Sequence, residues 1–177
     1  MNIKKSMLYA LCSMLCIGAA NAATVDFYVG AMAGLGSLQT GGTNSFAQSY
    51  GALVGLDMPV VRAEVEYSYI HSTRSGADLN ANLAFVNGYV KLTPTPMVKP
   101  YVGLGIGTLF AGSVSAGGVS EDMNTQVAYQ GMLGVQSNIP ATSLFVDVEY
   151  RTAYAPNIFE HADFWQNEVR LKLRYAF

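Results

Sequence analysis

Cysteine is scarce in this 177-residue chain: there are two, Cys12 and Cys16, both close to the amino end. No disulfide framework holds the rest together. Histidine is as rare, with His71 and His161 far apart in the sequence. Glu160 and Asp163 flank His161, but no second ligand pair stands at a metal-site spacing, so no metal is expected. His71-Ser72 has no evident carboxylate to orient it as a hydrolase would need, and no helix or lysine follows Gly103–Gly107 as a phosphate loop requires. Neither an enzyme nor a cofactor is expected. Positive charge is short too, with 10 Lys and Arg against 12 Asp and Glu, for a net charge of −2. Nucleic acid is an unsuitable partner for that balance. Beyond residue 23 no apolar run reaches the roughly 18 residues of a membrane helix. Yet 51% of the chain is hydrophobic and 18 residues are glycine. If the chain spans a bilayer, it does so as strands.

The amino end carries Lys4 and Lys5, then the apolar stretch Met7–Ile17, then Ala20-Asn21-Ala22, the pattern of a secretory leader cut after Ala22. Both cysteines leave with it. Leu11 and Leu15 precede them, where a lipoprotein site needs a small residue, so no lipid anchor is expected. The mature chain, Ala23–Phe177, has 177 less 22, or 155, residues, which is one domain. Loss of Lys4 and Lys5 leaves 8 bases against 12 acids, a net −4.

Eight segments alternate apolar and polar side chains, at about 24–35, 48–57, 60–70, 82–92, 98–110, 125–137, 144–155 and 165–177. Each is near the roughly 9–11 residues of a tilted membrane strand. Short links at Asp57–Val60, Thr93–Met97 and Asn138–Ser143 carry prolines and predict tight turns. The links near 36–47, 71–81, 111–124 and 156–164 are longer and predict loops at the opposite end. Tyr50, Tyr67, Tyr69, Tyr129, Tyr154 and Trp165 fall at the loop ends of the apolar face, and Phe27, Tyr175 and Phe177 at the turn ends. Aliphatic residues such as Val54, Val65, Leu104, Leu133, Val148 and Leu171 lie between. Two aromatic girdles around an aliphatic band suit two membrane interfaces. The spacing predicts an all-β, eight-stranded, antiparallel up-and-down transmembrane barrel.

The opposite face carries Asp26, Asp57, Arg62, Glu64, Glu66, Lys91, Asp147, Glu149, Arg151, Glu168, Arg170, Lys172 and Arg174. In a small barrel these point into the lumen and must pair there. In the last hairpin one register sets Arg151 against Glu168, Glu149 against Arg170 and Asp147 against Lys172, with Tyr154 meeting Trp165 outside. A slip of two residues opposes like charges. Gly51 and Gly55, and Gly103, Gly105 and Gly107, are expected to leave room for the long Arg and Glu side chains. A soluble lipocalin-like barrel is the alternative, with the charged stripe outside. Its Gly-x-Trp motif on the first strand is missing, since the one tryptophan is Trp165.

Lys99-Pro100-Tyr101-Val102-Gly103-Leu104-Gly105-Ile106-Gly107, the leader and the ending Arg174-Tyr175-Ala176-Phe177 together resemble the small outer-membrane barrel family that takes in the OmpA membrane domain, OmpX and the opacity-type surface antigens. The resemblance covers the whole mature chain. It implies export to the bacterial outer membrane, contact with its lipid, and Tyr175 and Phe177 as a signal to the barrel assembly machinery. It also implies a surface antigen, adhesin or envelope-structural role. No peptidoglycan-binding domain follows Phe177, so tethering to the cell wall by that route is not expected. A lumen filled by charge excludes a general porin. A narrow path for a small apolar ligand is the alternative, and would need a continuous apolar interior. Function is thus expected in the loops, which carry Arg74, Asp78, Glu121, Asp122, Glu160 and Asp163, with Phe46, Ile158 and Phe159 either contact residues for an extracellular partner or packed on the barrel rim. A monomer is expected.

Overall fold

The computed structural model describes residues 25–40, 43–74, 77–92, 98–116, 119–122, 125–159 and 162–177. The leader, the 93–97 turn, Glu160 and His161 lie outside these residues, and the side chains of Arg74, Asp78, Glu121, Asp122, Ile158 and Phe159 lie outside the described set.

Nine strands run in chain order: β1 (Asp26–Thr40), β2 (Thr43–Asp57), β3 (Val61–Arg74), β4 (Ala77–Lys91), β5 (Val98–Ala116), β6 (Val119–Asp122), β7 (Gln126–Asn138), β8 (Leu144–Phe159) and β9 (Ala162–Ala176). All pairings are antiparallel between neighbours, and the β1–β9 pairing closes the sheet on itself. Eight strands make the wall. β6 is only a short return on the upper end of β5, from Ser113↔Asp122 to Ala116↔Val119, so β7 pairs with β5 directly. Closure leaves no unpaired edge along the wall, which is what a strand structure in hydrocarbon requires.

Period-two alternation decides which face is which. Val54, Val65, Leu104, Leu133, Val148 and Leu171 point outward and are exposed, whereas Glu64, Glu66, Glu149, Arg151, Arg170 and Lys172 are buried in the lumen. That polarity is the reverse of a lipocalin's. The β8–β9 register is the one the charges favour, with Arg151↔Glu168, Glu149↔Arg170, Asp147↔Lys172 and Tyr154↔Trp165 as partners.

The strands are longer than the sequence pattern predicts. Much of what reads as loop at 36–47, 71–81 and 111–124 is strand, extending the wall past the lipid-facing band. The reason is an inversion of polarity. Within the band apolar residues face out and charges face in, but toward the loop end Leu38, Ala47, Ile70, Leu83, Leu109 and Phe164 face in, while Gln48, His71, Asn80 and Asn82 face out. A stripe that exchanges sides midway looks like the end of a strand.

At the turn end, Asn138–Ser143 forms a tight link in which Thr142 N–H donates to the Ile139 carbonyl at 3.2 Å. Pro140 sets the first central position, and Ala141 at the second has φ of 62°. This is the turn in which glycine is the ordinary occupant, because a Cβ is strained there. Thr142 Oγ1 braces it by donating to the Ile139 carbonyl at 2.8 Å.

Candidate functional site

The lumen is layered from the turn end upward. At the turn mouth Arg62 donates to Asp147 at 2.8 Å, and Arg174 grips the same carboxylate through two nitrogens at 3.0 and 2.9 Å. Lys91 pairs with Asp57 and donates to the Met58 carbonyl. Arg62 leaves Nε and Nη2 without a hydrogen-bond partner, but its guanidinium lies 4.0 Å from the Tyr89 ring centroid and 4.5 Å from that of Tyr101. Stacking on two rings takes the place of those bonds. A cavity of about 250 Å³ opens at this mouth between Asp26, Asp57, Lys91, Lys99, Asn138 and Phe145.

The middle layer is a closed ionic cluster. Arg170 meets Glu66 in a two-pronged pair at 2.7 and 2.9 Å and Glu149 at 2.6 Å. Lys172 donates to Glu64 at 2.9 Å and lies 3.2 Å from Glu149. Above it, Arg151 lies 2.7 Å from Glu168, which also accepts from Ser49 and Gln166. Six acids (Asp57, Glu64, Glu66, Asp147, Glu149, Glu168) and six bases (Arg62, Lys91, Arg151, Arg170, Lys172, Arg174) are buried among the described residues. Asp26, the seventh expected acid, is only half-buried at the mouth. Equal numbers matter, because an unpaired buried charge costs several kcal/mol, on the order of 3–5 when a partner is removed.

Two expectations need correction here. Asp147 and Lys172 are register partners, but their side chains lean away from each other: Asp147 goes to Arg62 and Arg174, and Lys172 to Glu64 and Glu149. The lumen glycines do make room, but for other guests. A Cβ at Gly55 would collide with Tyr28, at Gly51 with Met32, at Gly103 with Tyr89, at Gly105 with Asn87 and at Gly107 with Phe85 and the Ala84 carbonyl.

Those buried aromatics are what the sequence reading missed. Tyr28 and Tyr89 both donate to Glu64 at 2.9 Å, and Tyr101 donates to Glu149 at 2.9 Å. They belong to the charged network although they look like apolar wall. The signal for them was parity: Tyr89 stands two residues from Lys91, and Tyr101 two from Gly103, on the lumen side of their strands.

Above Gln166 and Arg151 no charged side chain is buried among the described residues. Leu38, Ala47, Ile70, Ala81, Leu83, Phe85, Leu109, Ala128, Ala155 and Phe164 form one buried apolar cluster that fills the loop end of the lumen. The interior is therefore charged below and apolar above, where the sequence reading expected charge throughout.

Outside, the expected girdle residues take the following places. Tyr50, Tyr67, Tyr69, Tyr129 and Trp165 are exposed toward the loop end, and Phe27, Tyr175 and Phe177 toward the turn end. Tyr154 packs on Trp165 at 4.5 Å, Phe27 on Phe177 at 6.0 Å and Tyr175 on Phe177 at 5.2 Å. Five outer-wall phenols find partners: Tyr50 donates to Gln48, Tyr67 to Asn82, Tyr69 to Asn80, Tyr150 to Asn167 and Tyr154 to Asp163, all at 2.6 to 3.2 Å. Phe46 stands exposed beyond them. Among the described residues no group of His, Cys, Asp and Glu could hold a metal ion.

A family model for the outer membrane protein beta-barrel domain matches residues 7–177. The chain belongs to that family. The turns of such a barrel face the periplasm and the long loop end faces outside the cell. Two solved structures share the fold. Neisserial surface protein A is 19% identical, with 87% of this chain and 99% of that one covered at a TM-score of 0.74. Ail, the attachment invasion locus protein of Yersinia pestis, solved with the heparin analogue sucrose octasulfate, is 13% identical, with 86% and 99% covered at a TM-score of 0.54. A comparison with curated proteins gave no match.

Proposed function

We propose that this outer-membrane barrel is a non-enzymatic surface protein that acts through its extracellular rim and loops, as an adhesin or displayed antigen. The observation that carries the reading is the double closure of the lumen, by ion pairs below and by apolar side chains above. With the described lumen packed in this way, the rim is the part best placed to meet a partner. Tyr175 and Phe177 would serve assembly, as the strand end read by the barrel machinery, after export with a leader cut behind Ala22. The molecule would act as a monomer. Expressed in a non-adherent bacterial host, the chain should confer binding to a cell or matrix surface. Replacing the four loop tips with short turns should abolish that binding while the barrel still assembles. Binding that survives in the tipless barrel would remove the adhesin reading.

A second reading, passage or capture of a small apolar ligand, is favoured by the apolar upper lumen around Leu83, Phe85, Leu109 and Phe164. It meets the charged layer halfway down and goes no further without rearrangement.

A further inference from the structure

The cavity at the turn mouth is ringed by side chains from six of the eight wall strands: Asp26 on β1, Asp57 on β2, Lys91 on β4, Lys99 on β5, Asn138 on β7 and Phe145 on β8. Its charges are sorted by side. The acids stand on β1 and β2, where Asp26 and Asp57 are direct register partners, and the bases on the adjacent strands β4 and β5. Lys91 reaches across to Asp57, whose other oxygen lies 3.8 Å from Arg174. That leaves Asp26 and Lys99, both half-buried, with no ion pair of their own among the described residues. β1 and β5 stand four places apart either way round the closed wall, so these two charges face each other across the mouth. Beneath them lies an unused acceptor. Gln136 is fully buried, its Nε2 is 3.5 Å from Asn138 Oδ1 at the mouth, and its Oε1 has no hydrogen-bond partner.

Each feature asks for something different. Asp26 opposed by Asp57 calls for a cation, since like charges directly opposite are unfavourable. Lys99 calls for an anion, and the Gln136 oxygen for an N–H or O–H donor, because buried polar groups are ordinarily paired. A metal ion would answer only the first and a phosphate only the second. One guest meets all three if it carries an ammonium at one end, a carboxylate at the other and an amide N–H between, which describes a short peptide with free ends. Phe145 and Met58 offer an apolar wall to its side chains. About 250 Å³ falls below the roughly 300–1,000 Å³ of drug-sized pockets, which limits the guest to about two small residues.

We propose that the periplasmic mouth of the barrel is a binding site for a zwitterionic dipeptide, with its ammonium on Asp26, its carboxylate on Lys99 and its amide N–H on Gln136. The site is separate from the extracellular rim. Arg62, Asp147 and Arg174 close the lumen behind it, so a guest there is captured from the periplasm and not passed through.

The test uses the isotope-labelled barrel refolded in neutral detergent micelles and titrated with Ala-Ala while backbone amide resonances are followed. Those of Asp26, Lys99 and Asn138 should shift together, and those of Gln48 and His71 at the far end should not. Acetylating the amino end or amidating the carboxyl end should each weaken binding roughly two- to fivefold, as for one partly exposed ion pair. In Asp26→Asn the acetylated and free peptides should bind alike, and in Lys99→Gln the amidated and free ones. Gln136→Leu deletes an acceptor that the folded barrel leaves unused. It should weaken binding roughly two- to tenfold without loss of stability to urea. Heat-dependent gel mobility checks that each variant is folded. No shift with about 10 mM Ala-Ala, where a millimolar site is filled, overturns the proposal. So does binding that survives both charge variants unchanged. Alanine alone binding as tightly overturns it too, since the two charges of one amino acid lie too close together to serve opposite walls.

Discussion

Arg170 is held by Glu66 and Glu149 in a layer with no exposure to water. Its net stabilisation is small, but its removal leaves six buried carboxylates to five buried bases, with Glu66 at 3.5 Å from Arg151 and Glu149 at 3.2 Å from Lys172. Arg170→Met should lower unfolding stability by about 3–5 kcal/mol, measured by urea titration of the heat-modifiable gel band, and adding Glu66→Leu, which returns the buried charges to five of each sign, should restore part of it. A single mutant as stable as the parent would mean the cluster is hydrated. At the other extreme, Ala141 holds φ of 62° in a turn otherwise braced by Thr142. Ala141→Gly should raise stability by about 1 kcal/mol in the same titration, since an L side chain at that φ costs roughly 1–2. How far residues could be read from the sequence depended on their charge. Arg151, Glu149 and Glu168 announce the lumen, whereas Tyr28, Tyr89 and Tyr101 hide in it, because a phenol suits a membrane girdle and a buried carboxylate equally well.

Among elements, β5 is the most demanding. Gly103, Gly105 and Gly107 stand under Tyr89, Asn87 and Phe85, so their lack of side chains sets how closely β4 and β5 share the lumen. Gly105→Leu should prevent appearance of the compact, fast-migrating band on unboiled gels. Gly88→Leu, whose added carbon meets nothing within 4 Å on the outer wall, should leave it intact. Equal loss in both would point to backbone propensity. The β8–β9 hairpin could be read to the exact register because its inward charges are opposite in sign across the two strands, Arg151 to Glu168, Glu149 to Arg170 and Asp147 to Lys172, and a slip of two opposes like charges. The upper halves of β1 to β5 could not, because inside and outside exchange polarity there. A pattern rule that follows one stripe stops at the exchange.

For the whole molecule, the two closures act in series. In planar bilayers the native barrel should show no steady conductance. Arg151→Ala with Arg170→Ala should still show none, because the apolar cluster around Phe85 and Phe164 remains dry above them. Conductance should need Phe85→Ala and Phe164→Ala as well, and appearance of open channels in the charge variant alone would show that the upper cluster is no barrier. The architecture was legible from the ends of the chain and its strand count; the second closure was not. The chain's one tryptophan, Trp165, sits at the outer rim against Tyr154. A chain added outside a vesicle must carry it across the full bilayer for the rim to end on the far side. During refolding into vesicles, its emission will brighten and be quenched by depth-labelled lipids in sequence, a built-in clock for the passage of the final hairpin.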